Sequence, residues 1–104
     1  VLGIETQIQK QETSEAVRLK TPNKYHVVML NDDVTPMDFV IQILVAIYRH
    51  VPEKAQEITL HIHENGRAVA GTYSYEVAEQ KVIETVTEAR HAGYPLDVVI
   101  EESE

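Results

Sequence analysis

The residues best suited to chemistry lie in one run, Asn31-Asp32-Asp33-Val34-Thr35-Pro36-Met37. It stands between a β-branched, apolar stretch, Tyr25 to Leu30, and a strongly apolar stretch, residues 39–48. Short acceptor side chains crowd this strand-to-helix turn and form an anionic ledge beside apolar residues. Such a ledge suits an ammonium group carried by something greasy. The simplest biological ligand of that kind is the free N-terminus of a polypeptide with a bulky first side chain. A plainer reading stands beside it, because Asn and Asp favour turns through local hydrogen bonds alone. Thr35, however, already offers a cap to the following helix, so the other acceptors exceed what one helix start requires.

Other chemistries find less support. The histidines are His26, His50, His61, His63 and His91. His61 and His63 could share a metal on a strand, but on a helix two residues two apart diverge by roughly 200°. They are assigned to a helix, which argues against a shared site. One of them facing a cleft could instead accept a hydrogen bond from an ammonium. Ser14, Ser74 and Ser103 fall in tail, cap and tail contexts, and Gly3, Gly66, Gly71 and Gly93 do not cluster. No nucleophile elbow, phosphate loop or metal motif is present, so neither catalysis nor a cofactor is expected.

The elements that must position the ledge follow from pattern. Tyr25 to Leu30 reads as a strand. Thr35 as N-cap, Pro36 at the first helical position and Asp38 at the third start a helix that is apolar almost all round. A second helix is expected from Pro52 to about His63, stopped at Asn65-Gly66. Arg67 to Tyr73 is a second strand, and Ser74 caps a third helix whose stripe is Ala78, Val82, Val86 and Ala89. Gly93 and Pro95 end that helix, and residues 96–100 form the last strand. The expected fold is α+β: a small, mainly antiparallel three-stranded sheet packed with three helices, in the order βααβαβ. Residues 1–23 are polar and are expected to be a flexible extension, residues 24–101 the folded domain, and residues 102–104 an acidic tail.

Bulk properties narrow the partners. The chain has 104 residues, enough for one domain, with Lys+Arg 9 against Asp+Glu 17 and a net charge of -8. Nucleic acid and anionic membranes would be repelled, while cationic ligands are drawn in. There is no cysteine, so disulfides, thiolate catalysis and cysteine-bound zinc are excluded. No apolar run approaches a membrane span, and residues 1–20 lack a signal-peptide pattern. A monomer is the default expectation.

One resemblance goes further. The run from Tyr25 through Asn31-Asp32-Asp33-Val34-Thr35-Pro36-Met37-Asp38-Phe39-Val40 closely resembles the signature of the ClpS adaptor family. The likeness continues through Leu60-His61-Ile62-His63-Glu64-Asn65-Gly66-Arg67-Ala68, Glu76-Val77-Ala78-Glu79-Gln80-Lys81-Val82 and Tyr94-Pro95-Leu96. It spans about residues 24 to 101. The resemblance implies an adaptor without enzymatic activity that binds N-degron proteins, those beginning with Leu, Phe, Tyr or Trp. It would deliver them to a Clp ATPase unfoldase, ClpA- or ClpC-like, which feeds a Clp peptidase. By the same resemblance, Asn31, Asp33 and His63 hold the substrate α-ammonium. Leu30, Asp32, Thr35, Met37, Val40, Thr59, Ile62 and Leu96 line the pocket for its first side chain. Glu76, Lys81 and Glu64 face the unfoldase's N-terminal domain, and the extension before residue 24 serves delivery rather than binding. The implied compartment is the bacterial cytosol, with a plastid stroma as the alternative.

Many family members carry Met where this chain has Thr59. The shorter, more polar Thr59 is expected to make a roomier pocket with altered ranking among first residues and some tolerance of Ile or Val. Protonating His63 would put a cation beside the ammonium, so acid is expected to weaken binding. The alternatives are an interaction module of similar architecture without N-degron specificity, such as the C-terminal domain of the ribosomal stalk protein; the N-terminus-reading domain of a ubiquitin ligase; and a small metal-dependent hydrolase using His61 and His63.

Overall fold

β1 (Tyr25–Leu30) is the centre of the sheet because its β-branched and aliphatic residues are buried from both sides. The computed structural model of the chain describes residues 24–103, which form three helices and one three-stranded sheet. α1 (Met37–Ala46) and α2 (Pro52–Asn65) follow β1; then come β2 (Arg67–Tyr73), α3 (Tyr75–His91) and β3 (Asp97–Glu102). The sheet order is β2-β1-β3, and both pairings are antiparallel. The order βααβαβ and the mainly antiparallel sheet are therefore as the sequence implied. The expected extension over residues 1–23 lies outside the described residues. The last strand runs through Glu102, one residue into the expected acidic tail, because Glu102 pairs with Tyr25 and Ser103 N–H donates to Lys24 O at 3.0 Å.

Alternation along β1 divides the sheet into two faces. Val27 and Met29 point into one core with Val40, Leu44, Ile62 and Leu96. Val28 points the other way, with Val69 and Val99 opposite it on the two outer strands. On that face Arg67 of β2 reaches across β1 to Glu101 of β3 at 2.6 Å, and Val28 is only 1% exposed beneath the arch.

β2 carries an extra residue, Ala70, between the pairs Val27↔Gly71 and Val28↔Val69. A bulge leaves a carbonyl without a ladder partner. His50, in the α1–α2 connection, donates from Nε2 to Ala70 O at 2.5 Å, which satisfies it. The next residue, Gly71, is required because a Cβ there would run into the ring of Tyr73.

The helix ends are mostly set by local chemistry. Pro52 opens α2 at its first turn, and Gly66, at φ 89°, closes it with its N–H on Ile62 O at 2.8 Å. The Ser74 hydroxyl caps α3 through Val77 N–H at 3.4 Å. α1 departs from expectation. Its N-cap position is occupied by Pro36, in extended conformation and without a side-chain cap; Thr35 stands one residue earlier and is spent elsewhere. α1 is also less enclosed than its composition implied. Val40, Ile43 and Leu44 are buried, Ile41, Val45 and Ile47 are half-buried, and Met37 is exposed.

α3 buries Ala78, Thr85 and Ala89, with Val82 and Val86 packed at the margin. Thr85 is polar and 0% exposed, and it survives there because its hydroxyl donates to Lys81 O at 2.7 Å. That proton being used, the Tyr48 hydroxyl is the donor in its 2.6 Å bond to Thr85 Oγ1. Burial pushes the Tyr48 phenol up to about 12.

Candidate functional site

The ledge is built by Asp32. Its Oδ1 accepts from Val34 N–H at 2.8 Å and Thr35 N–H at 2.7 Å, and its Oδ2 accepts from the Thr35 hydroxyl at 2.8 Å. These bonds hold the turn from the inside. Partial burial raises the Asp32 carboxyl, but the hydrogen bonds from Thr35 and Val34, with the Arg90 guanidinium nearby, outweigh it and keep the group below its ordinary value. Asp32 and Thr35 therefore act as a pair. The Thr35 side chain serves the Asp32 turn instead of capping α1.

With Asp32 occupied, the residues on either side of it face solvent. Asn31 and Asp33 are both exposed, and among the described residues neither side chain has a hydrogen-bond partner. The Asn31 N–H donates to Gly66 O at 2.9 Å. That bond ties the ledge to the end of α2, where Gly66 closes the turn that contains His63. His63 is exposed and has no hydrogen-bond partner among the described residues, whereas the His61 ring bonds to Arg67 O at 3.3 Å. The two histidines sit on one helix, as expected, and only His63 retains both ring nitrogens for a ligand. No group of three or more histidine or acidic side chains suited to a metal occurs among the described residues.

The apolar half of the site is continuous with the core. Val40, Ile62 and Leu96 belong to one buried cluster, at 6%, 4% and 1% exposure. Thr59, one turn before Ile62 on α2, is 2% exposed, and its hydroxyl donates to Ala55 O at 2.7 Å. Its polar atom is thus turned back onto its own helix, leaving the methyl as the packing surface. Met37 is 42% exposed, at the start of α1 beyond Thr35, which is half-buried.

Leu30 is placed differently. It shares the parity of His26 and Val28, opposite Arg67 and Asp97 on the sheet face away from the helices. The structure does not bring it together with Val40, Ile62 and Leu96. Val27 and Met29 take the inner face of β1.

Several residues that position the site were not legible as site residues. Phe39 and Tyr94 meet edge to face at 4.9 Å, which joins the start of α1 to the segment before β3. Arg90 donates to Tyr94 O at 3.0 Å and to Leu96 O at 2.8 Å, fixing Leu96 beneath the ledge side of the molecule. Of the three side chains matched to an unfoldase surface, Glu64 lies in the last turn of α2, and Glu76 and Lys81 lie on α3. Lys81 also has structural work: its Nζ donates to Ile47 O at 2.8 Å beyond the end of α1 and lies 5.7 Å from the Tyr73 ring centre. A groove of about 460 Å³ between α2 and β2 contains none of the ledge residues.

The fold and the ledge are those of a small binding module. Residues 20–99 match the family described as ATP-dependent Clp protease adaptor protein ClpS. The chain is 49% identical over 82 residues to the Clp protease adapter protein ClpS of Maricaulis maris, covering 79% of this chain and 75% of that one. It is 46% identical over 86 residues to that of Burkholderia thailandensis, covering 83% of each. A solved structure, Agrobacterium tumefaciens ClpS2 bound to L-phenylalaninamide, matches with a TM-score of 0.76 at 33% identity, over 79% of this chain and 99% of that one. The chain belongs to the ClpS family of Clp protease adaptors. It is therefore a non-enzymatic adaptor that works with the ATP-dependent Clp protease and its substrates.

Proposed function

We propose that this adaptor binds polypeptides through a free N-terminus bearing a bulky hydrophobic first residue, Leu, Phe, Tyr or Trp, and passes them to the Clp ATPase for degradation. The observation that carries this reading is the division of labour in the ledge. Asp32 is consumed by the turn, while Asn31 and Asp33 on either side of it are exposed and have no partner among the described residues. Asn31, Asp33 and His63 supply the acceptors for the ammonium, and Thr35, Met37, Val40, Thr59, Ile62 and Leu96 supply the apolar surface. The ligand of the Agrobacterium relative, a phenylalanine amide, combines those two features in one small molecule.

The energies are of the right size. Each charge-assisted hydrogen bond contributes roughly 1.5–3 kcal/mol net. Burying a Leu or Phe side chain adds about 1.5–3 kcal/mol. Together they exceed association costs enough for about micromolar affinity, near -8 kcal/mol, and neither suffices alone. Selectivity follows. An acetylated N-terminus loses the ammonium, and a small or charged first residue loses the apolar contribution.

Glu76, Lys81 and Glu64 would face the N-terminal domain of the unfoldase. The experiment for the binding half is titration of a Phe-initiated peptide into Asp33→Asn and His63→Ala variants. Each should weaken binding about tenfold, one charge-assisted bond's worth. Wild-type affinity in both would remove these residues from the site.

A further inference from the structure

We infer that the groove between the end of α1 and the outer face of α3 is a docking site for this chain's own segment Val17-Arg18-Leu19-Lys20. The groove has a volume of about 410 Å³ and is lined by Ile47, Ile83, Glu84, Thr87 and Glu88. Its apolar part is exposed where a helix surface would ordinarily be polar, with Ile83 57% accessible. Glu84 and Glu88, one helical turn apart, form an acidic rim, and Glu79 lies one turn before Ile83. Among the described residues none of these carboxylates is in an ion pair. The Lys and Arg of the helix are engaged elsewhere, Lys81 on Ile47 O and Arg90 on Tyr94 O and Leu96 O. The groove therefore calls for an occupant with aliphatic side chains flanked by positive charge.

Residues 17–20 have that composition: Val17 and Leu19 are aliphatic, Arg18 and Lys20 are cationic. They lie outside the described residues, and the described chain starts at Lys24, beside the beginning of α3. The Tyr25 ring meets the Tyr75 ring edge to face at 5.1 Å, and Tyr75 is the first residue of α3. Ile83 is eight residues further along, about 12 Å at 1.5 Å per residue. Leu19 and Val17 stand five and seven residues before Lys24, a reach of about 17 and 24 Å. The segment is long enough to lie over Ile83 with chain to spare, and too short to reach far past the end of α3. Most other cations of the chain belong to folded elements; the occupant is thus set by charge, apolar character and tether length together.

The docked segment would lie along the same helix as Glu76 and Lys81, beside the surface assigned above to the unfoldase, but the inference does not depend on that assignment. The chain has no cysteine, which makes a single label simple. A nitroxide at Ser14→Cys on the full chain should broaden the backbone amide signals of residues 83–88 selectively, relative to residues 56–61 on α2. The double variant Glu84→Lys/Glu88→Lys should abolish that selectivity, and adding Arg18→Glu/Lys20→Glu to it should restore it. Equal broadening of α2 and α3, or selectivity that survives the charge reversal, would overturn the inference. So would broadening that passes between labelled and unlabelled chains in a mixture, which would make the occupant a second copy.

Discussion

Replacing Asp32 with Ala removes the acceptor of three hydrogen bonds, two from backbone N–H groups and one from the Thr35 hydroxyl. Val34 is 62% exposed, so water can take over at its N–H; the Thr35 groups are half-buried and less easily rescued. Taking the Thr35 bonds at the lower end for charged acceptors, and discounting for solvent, gives a loss of about 1–2 kcal/mol. For a domain of this size that is a fall in Tm of roughly 5–15 °C. The pH dependence gives an independent check. A carboxyl held below its ordinary value in the folded state contributes stability that is complete above the unfolded value of 3.8 and is lost as pH falls through the folded one. The gap between the native chain and Asp32→Ala should therefore be full at neutral pH and shrink once the pH drops below about 4. Asp32→Asn keeps an acceptor for the two backbone donors and should lose less than Ala. Urea unfolding across pH, with peptide titration in parallel, reads both consequences. Affinity should fall about tenfold, because the ligand must order a ledge the protein no longer holds. An Asp32→Ala protein with native stability and native affinity would refute the claim that this carboxylate builds the site.

Thr59→Met should place a longer side chain where the buried Thr59 methyl packs and sharpen discrimination against Ile-initiated peptides relative to Leu and Trp; an unchanged ranking in a binding series would show that Thr59 does not shape the pocket. Thr85→Val should cost about 1–3 kcal/mol by leaving the Tyr48 hydroxyl buried without an acceptor, and combining it with Tyr48→Phe should recover about 1 kcal/mol. Strict additivity in urea unfolding would contradict coupling through the Tyr48–Thr85 bond. Lys81→Met should lower stability by about 0.5–1.5 kcal/mol through loss of the bond to Ile47 O. A native melting curve for that variant would contradict a stabilising role for that bond.

The order of elements was legible because each start and stop had its own chemistry: Pro52, Gly66 and Ser74 do locally what their positions in sequence imply. The ledge was legible as a cluster of acceptors but not as a division of labour. Which carboxylate closes the turn depends on backbone geometry at Val34 and Thr35, and an Asp three residues before a Thr looks the same whether Thr35 caps the helix or serves Asp32. The parity of Leu30 relative to Val27 and Met29 was legible from the strand alternation. The supports contributed by Tyr94, through Phe39, and by His50, through Ala70, could not have been read, because they join residues distant in sequence. The His50 bond depends on a bulge at Ala70 that no local pattern announces.

The central claim is that one site reads an ammonium and an apolar side chain together. Fluorescence anisotropy with a labelled peptide beginning with Phe or Leu, beside its N-acetylated twin, tests it most directly. Saturable binding of the free peptide is expected at about micromolar concentration, and none of the acetylated one in the same range. Equal binding of the two peptides, or binding of neither, would contradict it.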